Sequence, residues 1–144
     1  GRQYTGLTES YLTEDADYIL ITLGSIAGLC RETADKLRSR GVKAGVLRIR
    51  YMRPFPNEEI ARELKNAKGY GVLEKDISFG NEGAVYTNVN SALKKAGLTI
   101  KGGNFIGGLG GRNISAADIE GIFADIADGK DGVHFLGIGG SDNG

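Results

Sequence analysis

The residues of this sequence best suited to chemistry are glycines and arginines. Gly107-Gly108-Leu109-Gly110-Gly111-Arg112-Asn113 sets four glycines around one leucine. Bare backbone of this kind lets N–H groups converge, and Ser115 just beyond opens a helix whose first N–H groups are free. The combination suits an anion, with Arg112 as a bidentate partner. The plainer reading, that the glycines let this loop pack tightly against a neighbouring chain or domain, is preferred, because a Gly-rich turn alone carries little specificity. No Gly-Lys-Ser/Thr follows, so this is not a Walker A loop. Nor is it a dinucleotide fingerprint: it follows the last helix-bearing strand instead of the first, Gly24 and Gly28 lack an intervening G-x-G, and the strand ending Arg48-Ile49-Arg50 offers no acid for a ribose.

Other candidates have plainer explanations. Arg53-Pro54-Phe55-Pro56 fixes two φ angles around a phenylalanine; Arg53 can bind an acid, but the segment reads better as a rigid contact surface. Glu74 and Asp76 offer a carboxylate pair for acid–base work, yet charged loop residues are usually solvated. Ser25 is better explained as a helix N-cap than as a nucleophile, since nothing around it supplies a base. Cys30, the one cysteine, falls on an apolar helical stripe and reads as a core residue. His134, the one histidine, sits in an apolar run and reads as structural. No residue is assigned a catalytic role, and no cofactor or metal site is expected in this chain.

The elements that position these residues alternate. Tyr18–Leu23 is a continuous apolar, β-branched run, as expected of a strand buried on both faces. A helix follows from Ser25 to about Arg40, with Ile26, Cys30, Ala34 and Leu37 on one stripe and Gly41 as its stop. Val42 to Ile49 predicts a second strand, and Asn57 caps a helix carrying Ile60 and Leu64. Gly69 to Glu74 is a third strand; Val85, Val89 and Leu93 mark a helix ending near Gly97. Leu98–Ile100 and Phe105–Ile106 read as strand material around a Gly102-Gly103 break. Ser115 and Asp118 form a capping box before Ile119, Ile122, Phe123 and Ile126. Val133 to Ile138 is a last apolar run.

Such alternation predicts an α/β fold: a mostly parallel sheet with helices on its faces, in α/β/α order. Right-handed crossovers gather four loops at the carboxyl end of the sheet: 24–28, 50–56, 75–83 and 107–114. Residues 1–17 are expected to be a lead-in segment, 18–138 a single domain, and 139–144 a flexible tail.

Composition narrows the function classes. The chain has 144 residues, one domain's worth, with 18 Lys+Arg against 18 Asp+Glu. Zero net charge gives no general electrostatic case for nucleic acid or an anionic membrane. One cysteine excludes an intrachain disulfide and a multi-cysteine metal site. No apolar run approaches the ~18–20 residues of a membrane span, and no signal-peptide pattern opens the sequence, so a cytoplasmic chain is the default expectation. Glycine stands at 24 residues, about 17% where ~7% is ordinary. Because these glycines punctuate apolar, periodic segments, they read as turn and close-approach positions. The opening Gly1-Arg2-Gln3, without an initiator, is expected to be processed or cut from something longer.

The motifs resemble a known family. Tyr4-Thr5-Gly6-Leu7-Thr8-Glu9-Ser10-Tyr11, Asp15-Ala16-Asp17, Thr22-Leu23-Gly24-Ser25, Arg53-Pro54-Phe55-Pro56, Ile77-Ser78-Phe79-Gly80 and Phe105 to Asn113 occur in that order. The ordered set, running to about Asp128, is similar to the C-terminal region of the α subunit of pyruvate:ferredoxin oxidoreductase (pyruvate synthase). The resemblance implies a fold similar to the transketolase C-terminal domain, with a five-strand mixed sheet whose fifth strand is either the Val133–Ile138 run or part of Leu98–Ile106. It also implies a complex that oxidatively decarboxylates a 2-oxoacid with thiamine diphosphate and iron–sulfur clusters, makes an acyl-CoA and reduces ferredoxin. In that family thiamine diphosphate lies between the domain preceding this region and another subunit, and cysteine-rich segments hold the clusters. The Gly107–Asn113 loop leans towards the pyruvate or branched-chain members over the 2-oxoglutarate ones.

The expectation is therefore an assembly domain, silent on its own, whose partners are the preceding thiamine-binding domain and the other subunits. Ser25, Arg53, Pro54, Phe55, Pro56, Phe79, Gly107, Gly108, Leu109, Gly110, Gly111 and Arg112 are its candidate interface or anion contacts, with Phe55, Phe79 and Leu109 as apolar anchors. The alternative is a module that holds nucleotide or coenzyme A phosphates on the helix N-termini at Ser25 and Ser115 with Arg53 and Arg112. A flavodoxin-like carrier is a third reading, against which Gly24-Ser25-Ile26-Ala27-Gly28 is too poor in hydroxyls to bind a flavin phosphate.

Overall fold

Short aliphatic runs followed by amphipathic stripes produce strands and helices in alternation. In the computed structural model, which describes residues 2–4, 8–50, 55–75, 84–107 and 113–136, two short strands come first, β1 (Arg2–Tyr4) and β2 (Thr8–Tyr11). Then follow β3 (Tyr18–Leu23), a 3-10 turn (Gly24–Ile26), α1 (Ala27–Ser39), β4 (Ala44–Ile49), α2 (Asn57–Leu64), β5 (Gly69–Lys75), α3 (Ala84–Lys95), β6 (Lys101–Gly107), α4 (Ala116–Ala127) and β7 (Gly132–Phe135). All seven strands form one sheet in the order β1-β2-β4-β3-β5-β6-β7. Strands β3 to β7 run parallel, while β2 pairs antiparallel with β4 and β1 with β2.

The expected mostly parallel sheet is present, with seven strands described where about five are expected, and β7 is the fifth of its parallel strands. Two expectations are corrected. The stretch before Tyr18 is no mere lead-in: it adds two antiparallel strands to the sheet edge. The Gly102-Gly103 pair is no break: β6 runs straight through it, and Leu98–Ile100 precedes the strand. Tyr70 of β5 stands opposite Gly102, and a Cβ there would lie 2.0 Å from the Tyr70 ring. The bare backbone lets the ring lie across the neighbouring strand, its hydroxyl bonded to Asn90 of α3.

Helices cover both faces. On one, α2 and α3 bury Ile60, Leu64, Val85, Val89 and Leu93 against Ile19, Ile21, Leu47, Tyr70 and Val72. On the other, α1 and α4 bury Cys30, Ala34, Leu37, Ile119, Ile122, Phe123 and Ile126 against Leu20, Val46, Leu73 and Phe105. The three layers follow from strands whose successive residues are buried on opposite sides.

Helices α1, α3 and α4 end alike. Gly41, Gly97 and Gly129 take positive φ. Each donates to the carbonyl three residues back while its successor reaches the carbonyl five back, as Val42 does to Leu37. These are Schellman closures, and they turn the chain into the next strand. The N-termini differ from expectation. Ile26, with no side-chain cap, takes the N-cap of α1, so Ser25 lies in the 3-10 turn before it. Pro56 takes the N-cap of α2, making Asn57 the first helical residue.

Substituting Gly102→Ala is expected to lower unfolding free energy in denaturant titrations by about 1–3 kcal/mol through overpacking. Gly121→Ala, in an exposed turn of α4 with open space around it, is expected to raise it by up to about 1 kcal/mol.

Candidate functional site

Parallel strands of one handedness put their carboxyl ends on one rim, the usual ligand and partner edge of such sheets. Gly24 and Ser25 follow β3 there, Arg50 follows β4, Phe55 and Pro56 lead into α2, and Gly107 closes β6. The strand order reverses between β3 and β5, which puts Glu74 of β5 beside the switch point. Arg53, Pro54, Phe79, Gly108, Leu109, Gly110, Gly111 and Arg112 lie outside the described residues, as does Asp76. Phe55 is half-buried and packs on the α2–α3 side of the core, and Pro56 is buried. A Cβ at Gly107 would meet Ile114 Cδ1 at 2.7 Å, so this glycine admits a neighbouring side chain.

Several polar groups described at this rim are satisfied within the chain. Glu74, expected to be solvated, is only 7% exposed. Its carboxylate accepts from the Val85 and Tyr86 backbone N–H groups at the start of α3, both at 3.4 Å, and from Asn104 Nδ2 at 3.0 Å. Asn104, fully buried on β6, also donates to the Val72 carbonyl at 3.3 Å. At α4 the expected capping box forms: Ser115 Oγ accepts from Asp118 N–H at 3.1 Å, and the Asp118 carboxylate accepts from Ser115 N–H at 2.9 Å. The first turn of α2 carries Glu58 and Glu59. A carboxylate therefore already stands at three of the helix starts on this rim. A phosphate brought to these starts would meet like charge, which counts against the phosphate-binding alternative at Ser115; the first turn of α1, beside Ser25, carries no acidic residue.

The chain's own residues do not fit the groups the resemblance implies. Cys30 is fully buried on α1, and burial pushes its thiol up to about 12, so it is neither a cluster ligand nor a nucleophile at neutral pH. Among the described residues no group of three or more His, Cys, Asp or Glu could hold a metal ion. Among the described residues, the starts of α3 and α4 are already occupied by the Glu74 and Asp118 carboxylates. His134 stacks on Phe105 with ring centroids 5.2 Å apart. Its Nε2 lies 2.7 Å from the Asp131 carbonyl, so that nitrogen carries the proton.

One polar system has no counterpart in the reading of the sequence. Helix α1 is strapped to β2 and the turn after it by residues at i, i+4 and i+7. Arg31 Nη1 donates to Glu9 at 3.2 Å, Asp35 accepts from the Tyr11 hydroxyl at 2.8 Å, and Arg38 donates to Asp15 at 2.9 Å and to the Leu12 carbonyl at 2.7 Å. Glu9 is 2% exposed. Arg48 of β4, directly opposite Glu9 in register, adds an ion pair at 3.7 Å. The helical spacing of Arg31, Asp35 and Arg38 was the available signal, but their partners lie in a polar segment with no strand pattern. Across the same helix, Lys36 and Arg40 both hold Glu120 of α4 at 3.2 Å.

The family model for "Pyruvate:ferredoxin oxidoreductase core domain II" matches residues 16–119. The chain belongs to this family. Pyruvate synthase subunit PorA of Methanothermobacter thermautotrophicus is 41% identical over 138 residues, covering 96% of this chain and 35% of the relative. PorA of Pyrococcus furiosus is 45% identical over 120 residues, 83% of this chain and 30% of the relative. Ketoisovalerate oxidoreductase subunit VorA of Pyrococcus horikoshii is 37% identical over 126 residues, 88% and 32% respectively. The chain thus spans about a third of the length of these curated relatives. Solved structures show the fold: an inactive β4 tetramer of a split-gene transketolase has a TM-score of 0.64 at 16% identity over 83% of this chain and 42% of that one. A 2-oxoglutarate:ferredoxin oxidoreductase from Magnetococcus marinus has a TM-score of 0.60 at 21% identity, covering 87% and 20%. The transketolase-like α/β/α architecture expected for a core domain II is the one observed.

The Arg38 guanidinium beside Asp15 holds its carboxyl below the ordinary 3.8, first through a hydrogen bond and then through charge. A lowered carboxyl pKa means this contribution to stability is complete above the ordinary value and lost as pH falls through the lowered one. In a carbon-13 NMR titration the Asp15 midpoint is expected below 3.8, and Arg38→Gln is expected to return it to the ordinary range.

Proposed function

We propose that this chain is an assembly domain of a 2-oxoacid:ferredoxin oxidoreductase of the pyruvate or branched-chain oxoacid type, without catalytic activity alone. The reading rests chiefly on one observation: 41% identity across 96% of the chain to a pyruvate synthase subunit of which the chain spans only 35%. Relatives named for pyruvate and for ketoisovalerate match at similar identity, which supports both oxoacid classes as substrates of the whole enzyme. In this proposal the complete enzyme decarboxylates the 2-oxoacid, transfers the acyl group to coenzyme A and passes two electrons to ferredoxin. Thiamine diphosphate and iron–sulfur clusters belong to its other parts, and the preceding thiamine-binding domain and the other subunits are this chain's neighbours. Cytoplasmic location fits that role; among the described residues no helix is long and apolar enough to cross a membrane.

The chemistry of the described side chains supports a scaffolding task. Glu74 and Asp118 each accept the N–H groups of a helix start, Cys30 is inert in the core, and the histidine is spent on a carbonyl and a ring. None of these groups is available to abstract a proton or attack a carbonyl. The preceding thiamine-binding domain and the other subunits are proposed to pack against the carboxyl rim.

The test is turnover. The purified chain, supplied with pyruvate or ketoisovalerate, thiamine diphosphate, magnesium, coenzyme A and ferredoxin, is expected to show no 2-oxoacid-dependent ferredoxin reduction. The same assay on the complex assembled with its other subunits is expected to show it. Reduction by the chain alone would contradict the proposal, as would a fully assembled complex that is active with neither 2-oxoacid.

A further inference from the structure

The strongest unused feature is the basic corner where β4 reaches the rim. Arg48 is the penultimate residue of β4, and Arg50, two residues on along the chain, is exposed at the strand's end. On the helix covering this side, Arg31 stands in the second turn of α1. The carboxylate recorded among these guanidinium groups is that of Glu9, already held by Arg31 at 3.2 Å.

Arg48 is poorly served by this arrangement. Its Nη1 stands 3.7 Å from Glu9, an ion pair too long for a hydrogen bond, and its Nε is buried with no acceptor among the described residues. A buried donor left unpaired is costly, and guanidinium groups are usually satisfied by a planar acceptor on two donors at once. Yet the side chain is 37% exposed, so its head can turn outward. Arg38, on the same helix as Arg31, shows the contrast: its donors reach the Ala44 and Leu12 carbonyls and the Asp15 carboxylate.

We propose that Arg48, supported by Arg31, is the docking point for an aspartate or glutamate side chain of a neighbouring domain or subunit. The carboxylate draws Nε and one Nη of Arg48 outward into a two-bond fork and neutralises the positive excess of the Arg31–Glu9–Arg48 cluster. A protein carboxylate is the chosen occupant on charge complementarity, and because the chain spans only about a third of its relatives, leaving most of their length to supply such a neighbour. The inference rests on the assembly reading above and names one of its contacts.

Arginine labelling with phenylglyoxal, read residue by residue by mass spectrometry, tests it on the wild-type chain alone and in the assembled complex. Arg48 is expected to label in the free chain and to be protected at least ten-fold in the complex. Arg48→Glu is expected to weaken assembly at least ten-fold, while Arg48→Lys, which keeps charge but loses the fork, weakens it less. Circular dichroism of each variant before mixing separates misfolding from lost docking, and the wild-type protection stands without any variant. Equal labelling of Arg48 in the free chain and the complex overturns the proposal and leaves the assembly reading intact. A wild-type chain that joins no complex overturns both. Protection of the free chain by 10 mM inorganic phosphate, with none on assembly, overturns the protein occupant in favour of a free anion.

Discussion

The parallel pairing of β3 with both β4 and β5 is the constraint on which the rest depends. Ile19, Leu20, Ile21 and Thr22 are fully buried, so the middle of this strand touches no solvent on either face and its register cannot slip without exposing one core or the other. Because β4, β5 and β6 align with it in the same direction, each strand delivers its following segment to the same rim. The three Schellman glycines work at the opposite edge, turning α1, α3 and α4 back into strands. Function can therefore be argued from one surface.

That surface spends its polar groups on itself. In many α/β sheets the free N–H groups of helix starts at the carboxyl edge attract phosphates. Here a carboxylate from within the chain has taken two of those positions by direct hydrogen bonds. At α3 the occupant is Glu74, steadied by buried Asn104; at α4 it is Asp118 in a capping box. Burying Glu74 and Asn104 is tolerable because each is hydrogen-bonded. Helix starts occupied in this way, beside a buried Pro56 and a closely packed Gly107, suit the proposed contact with another protein surface. The chain belongs to the pyruvate:ferredoxin oxidoreductase core domain II family and spans about a third of the length of its curated relatives.

Much of the fold was legible because local and global signals agree in it. The α4 stripe of Ile119, Ile122, Phe123 and Ile126 behind a Ser–Asp box, and the aliphatic run of β3, need no tertiary information. The failures share one cause, partners distant in sequence. Gly102 and Gly103 look like a break until the Tyr70 ring, thirty-odd residues earlier, is seen to need the space. Thr8-Glu9-Ser10-Tyr11 looks like a polar lead-in because nothing local tells that α1 will supply Arg31 and Asp35 to bury it. Glu74 looks solvated because the N–H groups it accepts come after a loop. Of the candidate site, the rim position of Ser25, Phe55 and Gly107 was legible from topology alone. Whether a side chain there faces in or out was not, since that depends on what packs behind it.

The central claim is that this rim meets protein. Hydrogen–deuterium exchange, followed by peptide on the chain alone and within the assembled complex, tests it most directly. If the rim is the docking surface, protection on assembly appears in the segments that follow β3, β4, β5 and β6, and the turns at Gly41, Gly97 and Gly129 exchange as before. Protection confined to those glycine turns, or spread evenly over both edges of the sheet, would contradict it.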